Sequence, residues 1–289
     1  MIKKFLTWAS KNEIIIAGSA AAIAYTTELA SGKISPNILL LSTTFLMMWG
    51  VYRINKIMDI REDSINTPHR VKHIYTNKHM WFPPIFAFLI ALILALIANL
   101  WAFIVIIIAF IWIVGYSIKL PKILCRELKY EKIKEIPLVK NLYASVAWGM
   151  IALISTFILN NNITELTWAI FLIILSNIFI NEVNYDIRDI KGDKKFGIQT
   201  IPVIFGVKKT KSVLLVLLFI TALLPVLLIY LHILPIYMLT LSLIALYNYY
   251  SIRAFAWDND INFLCDVIIS GSPIIWPFLI LFGELMLKV

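Results

Sequence analysis

Apolar residues in this chain fall in long runs separated by short polar stretches. The runs cover 13–31, 37–55, 81–99, 101–118, 141–159, 165–184, 212–230, 233–250 and 266–287. Each approaches the roughly 20 residues that a helix needs to cross a bilayer core. They are too long for strands and do not alternate apolar with polar positions, so the pattern predicts nine transmembrane helices. The third and fourth runs meet at Asn99, Leu100 and Trp101 with almost no polar loop, which predicts a tight hairpin.

Composition agrees with the pattern. Of 289 residues 61% are hydrophobic and 15% charged, and the mean hydropathy is +0.85. A soluble domain runs near half apolar and a quarter charged. These values exclude an ordinary soluble enzyme, a disordered chain and a disulfide scaffold. They point to an all-α polytopic membrane protein, read as one domain over 1–289. The start carries Lys3 and Lys4, but Lys11 and Glu13 precede the apolar run and Ala20, Ala21 and Ala22 lie inside it. That order predicts a first span and not a cleaved leader.

The net charge of +9 changes meaning once it is placed on this layout. With the N-terminus cytoplasmic, 24 of the 26 Lys and Arg lie on the inner side, leaving Lys33 and Lys288 outside. Such asymmetry fixes orientation. It predicts a cytoplasmic N-terminus, an outer C-terminus and no nucleic-acid partner. Cys125 and Cys265 fall on the inner side, where a structural disulfide is not expected, and neither has a metal-binding spacing.

The acidic residues are more selective. Five of eight aspartates lie in two segments, each beginning where a span reaches the cytoplasm. Asn55, Asp59 and Asp63 are spaced i, i+4, i+8; Asp186, Asp189 and Asp193 are spaced i, i+3, i+7. Both spacings keep the side chains on one helical face. Stacked like charges repel, and acids near apolar surroundings need partners. Pairing with Lys56, Arg61, Arg188 and Lys191 would satisfy one such segment. Two at matching depth suggest a cage of hard oxygen donors for Mg²⁺, whose remaining ligands are water and substrate phosphates. A diphosphate substrate follows, with the metal stabilising departing pyrophosphate.

The two motifs and their flanks, Asp63 to Arg70 and Asp193 to Pro202, resemble the UbiA superfamily of intramembrane prenyltransferases. The resemblance implies nine transmembrane helices around a central cavity under a cytoplasmic cap. It implies transfer of an isoprenyl group from a prenyl diphosphate to a lipophilic or aromatic acceptor in the lipid bilayer, with two Mg²⁺ bridging the diphosphate. Asn55, Asp59 and Asp63 then hold one ion, and Asp189 and Asp193 the second, with Asp186 as ligand or support. Asp59, Asp63, Asp189 and Asp193 carry the catalysis. Arg70, Tyr116 and Lys119 grip the diphosphate, although Lys119 also fits a purely topological lysine.

Loss of pyrophosphate leaves an allylic cation that needs a dry pocket and that aromatic faces stabilise. Trp148, Phe179, Tyr247, Tyr249, Tyr250 and Trp276 are candidates, each equally suited to packing. Three departures from the family stand out. The first span lacks an Arg-Pro start, Thr67 stands where a second Arg is common, and Lys56 follows Asn55 where an acid is frequent. Glu28 faces a cavity or sits at the outer interface. A membrane terpene cyclase would use the same metal cage without an acceptor. A transporter would place its acids at the midplane, where only Glu28 and Glu182 are available, and no inverted repeat is evident.

Overall fold

The structure is a computed structural model. It describes residues 1–68, 71, 80–118, 130, 132–137, 139–256 and 260–287, without the side chains of Glu62 and Ser117. Arg70, Lys119 and Cys125 lie outside the described residues.

The described residues contain helices and no strand. In chain order the α-helices of seven residues or more are α1 (Ile2–Lys11), α2 (Ile14–Ala30), α3 (Ile38–Met58), α4 (Ile60–Asn66), α5 (Phe82–Ala98), α6 (Leu100–Ser117), α7 (Val139–Ile158), α8 (Glu165–Lys195), α9 (Ile201–Tyr230), α10 (Ile244–Ala254) and α11 (Trp276–Leu287). A 3₁₀ helix, Ile236–Leu243, precedes α10, and a π-helical segment, Leu264–Ile269, lies before α11.

The apolar runs become helices as expected. Five of the described helical stretches are long and apolar enough to cross a membrane: Ile38–Met58, Val139–Ile158, Glu165–Lys195, Ile201–Tyr230 and Ile261–Leu287. The pair α1 and α2, bent by 83°, makes a sixth, and α5 and α6 are shorter apolar helices. Run 233–250 is divided between the 3₁₀ helix and α10. Pro235 precedes it, and a 3₁₀ stretch that long is uncommon. The expected hairpin is present. Asn99, extended at φ −167°, ends α5 and starts α6 while its side chain accepts from the Trp101 N–H at 2.8 Å.

Small side chains let these helices approach closely, as membrane interfaces favour. Ala20, Ala24, Ala91, Ala95 and Ala102 are fully buried among Ile23, Ile106, Ile151 and Ile174. At Gly50 on α3 a Cβ would sit 2.7 Å from the Pro84 carbonyl of α5. On the outside, Phe86, Ile97, Val216, Phe219 and Phe278 are more than half exposed. In water such a belt would drive association; against lipid it costs nothing.

α1 was not signalled by the apolar runs. It exposes Ile2, Phe5 and Trp8 beside Lys3, Lys4 and Lys11, the make-up of a helix lying in a membrane interface. The bend after it turns on Glu13, a non-glycine residue at φ 62°. That conformation costs about 1 kcal/mol or more. The Glu13 carboxylate offsets it by receiving Lys56 Nζ at 2.7 Å on both oxygens.

Candidate active site

A cavity of about 210 Å³ opens among the ends of α2, α3, α6, α7 and α8, with α4 at its edge. Its floor is apolar and aromatic, with Ile16, Met48, Tyr52 and Trp148, and its upper wall carries nearly all the charge. Tyr52 and Trp148 meet edge to face with centroids 5.9 Å apart, and Trp148 Nε1 donates to the Tyr52 hydroxyl at 3.0 Å.

Asn55, Asp59 and Asp63 all line this cavity. They are not on one continuous helix. The helical assignment breaks at Asp59, φ −98° and ψ 16°, between α3 and α4. The backbone bonds persist across the break: the Asp59 N–H donates to the Asn55 carbonyl at 2.9 Å, and the Asp63 N–H to that of Asp59 at 3.0 Å. The three side chains therefore keep a common aspect. Lys134, almost wholly buried, donates to Asp59 Oδ1 at 2.7 Å.

The second segment rides on α8, which runs 31 residues without a break. At 1.5 Å per residue that is about 46 Å, well beyond a core about 30 Å thick. The apolar stretch ends near Asn184, so the last turns project past it. Asp189 lines the cavity. Asp186 and Asp193 turn instead to Lys140, at the start of α7: Nζ lies 2.7 Å from Asp186 Oδ1 and 3.4 Å from Asp193 Oδ2. Asn141 Nδ2 donates to Asp186 Oδ2 at 2.7 Å, and the Thr200 hydroxyl to Asp193 at 3.2 Å. Burial pushes the Asp193 carboxyl up to about 7, against the pull of Lys140.

Arg188 grips Asp189 with two bonds of 2.6 and 2.9 Å and reaches Asp266 of the π-helical segment at 2.8 Å. The segments also touch directly, where the Gly192 N–H donates to Asn66 Oδ1 at 2.9 Å.

The other candidates divide. Tyr116 lines the cavity, with the ring of Tyr143 5.7 Å away and Lys134 Nζ 6.0 Å from its centroid. Of the six aromatic candidates only Trp148 lines it. Trp276 is buried in the helix core, Phe179 packs beside α9, Tyr247 donates to the Ile268 carbonyl, and Tyr249 and Tyr250 are about half exposed. Glu28 accepts the Asn37 N–H on both oxygens at the other end of α2, so it closes a turn.

The sequence reading missed Tyr52, Tyr185, Lys134 and Lys140. The lysines read as topological because charge asymmetry does not reveal partners. Lys56, an apparent departure, is satisfied by Glu13.

The donor chemistry suits Mg²⁺. Asn55, Asp59, Asp63 and Asp189 offer hard oxygens from two sides of one cavity. Among the described residues no group of three or more His, Cys, Asp or Glu is close enough to hold a metal by itself. Mg²⁺ commonly takes one or two carboxylates and completes its shell with water and substrate phosphate.

A family model described as "UbiA prenyltransferase family" matches residues 14–262. A digeranylgeranylglyceryl phosphate synthase from Methanosphaera stadtmanae is 31% identical over 181 residues, which cover 59% of this chain and 58% of that relative. The match thus spans less than two thirds of the relative's length. Among solved structures, the apo UbiA homolog from Aeropyrum pernix K1 has a TM-score of 0.70 at 16% identity, covering 96% of this chain and 99% of that one. A UbiA homolog from Archaeoglobus fulgidus bound to DMAPP and Mg²⁺ has a TM-score of 0.64 at 18% identity, covering 98% and 99%. The two likenesses establish the fold.

Proposed function

Because the chain belongs to the UbiA prenyltransferase family, we propose that it moves an isoprenyl group from a prenyl diphosphate to a glyceryl phosphate-type lipid within the membrane. The observation that carries this reading is the cavity itself, in which two acid-bearing segments converge above an aromatic floor. The relative's name supports the choice of acceptor.

The whole chain acts as one domain of nine spans, with the site and the N-terminus cytoplasmic and the C-terminus outside. The distribution of Lys and Arg supports that orientation. Asn55, Asp59 and Asp63 would hold one Mg²⁺ and Asp189 would hold the second, while Asp186 and Asp193, expected from the sequence to join it, support the site through Lys140. When bound, the metal neutralises the diphosphate and stabilises the pyrophosphate as it leaves.

The chain's own groups do the rest. Lys140 and Arg188 line the cavity and present positive charge to the diphosphate. Asp186 and Asp193 fix the position of Lys140, and Asp189 and Asp266 fix that of Arg188. Tyr116 stands beside them, and Arg70 and Lys119 add to the grip. Deeper in, Tyr52 and Trp148 exclude water and offer π faces to the developing allylic cation.

The test is direct. Purified protein in lipid nanodiscs, given a radiolabelled prenyl diphosphate and a glyceryl phosphate ether lipid, should form a prenylated lipid that EDTA abolishes. Product from an aromatic acceptor alone would overturn the acceptor. A cyclised product without acceptor would replace transfer by cyclisation.

A further inference from the structure

Glu182 lies on α8 one turn before Asp186. The spacings to Asp186, Asp189 and Asp193 are 4, 7 and 11 residues, so all four acids fall on one stripe of the helix. Glu182 is the innermost. It lines the main cavity and also a narrow recess at its base, among Ile16, Tyr52, Trp148 and Tyr185.

Several polar groups around it have partners of their own, although Asn181 Oδ1 has none among the described residues. The Tyr52 hydroxyl receives Trp148 Nε1 at 3.0 Å, and the Tyr185 hydroxyl pairs with the Ser270 hydroxyl at 2.9 Å. Asn181 Nδ2 donates to the Ser272 hydroxyl at 2.9 Å. Lys140 is held by Asp186 and Asp193, and Arg188 by Asp189 and Asp266. Glu182 itself makes no hydrogen bond or ion pair among the described residues. A carboxylate in apolar surroundings with no protein partner is costly. That cost is relieved by protonation or by a ligand that brings a donor.

Its depth says which part of the ligand that is. One turn of α8 is about 5–6 Å, so Glu182 sits that far below the level of Asp186. A diphosphate held by the upper acids and cations places its prenyl C1 below them, toward the level of Glu182. The group that meets C1 there is the nucleophile.

We propose that Glu182 is a catalytic base, accepting the proton of a hydroxyl-bearing acceptor as its oxygen attacks the prenyl C1. The inference rests on the prenyl-transfer reading above. The C1–O bond to the acceptor forms. The C1–O bond to the diphosphate breaks, and its electron pair leaves on pyrophosphate. The hydroxyl proton passes to the Glu182 carboxylate and from there to water at the cavity mouth. This base serves the capture of the cation, whereas the upper acids serve ionisation.

The experiment compares wild type with Glu182→Gln and Glu182→Asp in nanodiscs. Three readouts are geranyl diphosphate binding with Mg²⁺, pyrophosphate release without acceptor, and transfer to a glyceryl phosphate ether lipid. Removing a general base should lower transfer by about 10²–10⁴-fold in Glu182→Gln, while donor binding and acceptor-free release stay within about twofold. Glu182→Asp should retain more transfer than Glu182→Gln. Transfer by Glu182→Gln within about threefold of wild type overturns the assignment, as does a parallel fall in release and transfer. Should Glu182→Gln fail to bind donor, the same ratio is read on Glu182→Asp. Wild-type protein that neither binds donor nor releases pyrophosphate overturns the prenyl-transfer reading itself. Wild-type transfer matched by Glu182→Gln overturns only the role of Glu182.

Discussion

The two acidic segments carry the same residue type at similar helical spacing, yet the fold uses them differently. On α3 and α4, Asn55, Asp59 and Asp63 all open onto the cavity, across a break in the helix. On the unbroken α8, Asp189 opens onto it, whereas Asp186 and Asp193 are buried against Lys140. Spacing decides which side chains share a face; it does not decide what that face meets. The first segment presents donors to a ligand. The second uses two of its acids to hold a cation where a ligand will need it.

The largest effect expected from this difference is on turnover. Asp59→Asn keeps a hydrogen-bonding group for Lys134 but removes the charge. Prenyl transfer should fall by at least about 10²–10³-fold, the scale for losing one charge-stabilising group. A variant with full turnover would break the comparison.

Next comes stability. Asp186→Ala deprives Lys140 of its 2.7 Å partner and leaves Asn141 unsatisfied. Breaking a buried pair costs about 3–5 kcal/mol, read as a lower melting temperature in detergent before Mg²⁺ is added. If Asp186→Ala is as stable as wild type, the second segment is not a prebuilt support.

The contact between the segments is worth less. Asn66→Ala removes the acceptor of the Gly192 N–H and should cost about 1 kcal/mol. Gly192→Ala would drive a Cβ into the Asn66 amide and should cost about 1–3 kcal/mol. The pair should be less destabilising than the sum of the two, because the obstacle is gone in the double variant. Strict additivity would mean that the segments do not touch.

The smallest effect is expected far from both. Lys3 and Asp260 pair at 3.0 Å but are largely exposed. The Phe263 N–H and Lys3 hold the Asp260 carboxyl below its usual 3.8. Its contribution is therefore present above that value and lost as pH falls through the lower folded one. Exposed pairs contribute about 0–1 kcal/mol, so Asp260→Asn should leave the melting temperature at pH 7 nearly unchanged. A large shift would give α1 a structural weight that its exposure does not suggest.

Much of this molecule was legible in the chain. Long apolar runs predict helices because a bilayer leaves the backbone no other way to satisfy its hydrogen bonds. The tight turn at Asn99 and the common face of Asn55, Asp59 and Asp63 were legible too. Helical periodicity carries a face from one turn to the next, even across the break at Asp59.

Partners were not legible, because they come from residues distant in sequence and close in space. Lys140 is 46 residues from Asp186, and Lys134 is 75 from Asp59. Before folding, each is only one basic residue among 26. Glu13 and Lys56 gave no sign of being partners along the chain, and the bend brings them within 2.7 Å. The aromatic floor was equally hidden, since nothing in an apolar run tells Trp148, which lines the cavity, from Trp276, which is packed in the core.

The sequence by itself determined the helices, the apolar belt and the two acidic faces, because these follow from local periodicity and transfer energy. Only the tertiary structure decided which acids are paired, which open onto the cavity and which lies deepest, without a partner among the described residues. Burial and charge pairing act between helices, and no spacing along one helix contains them.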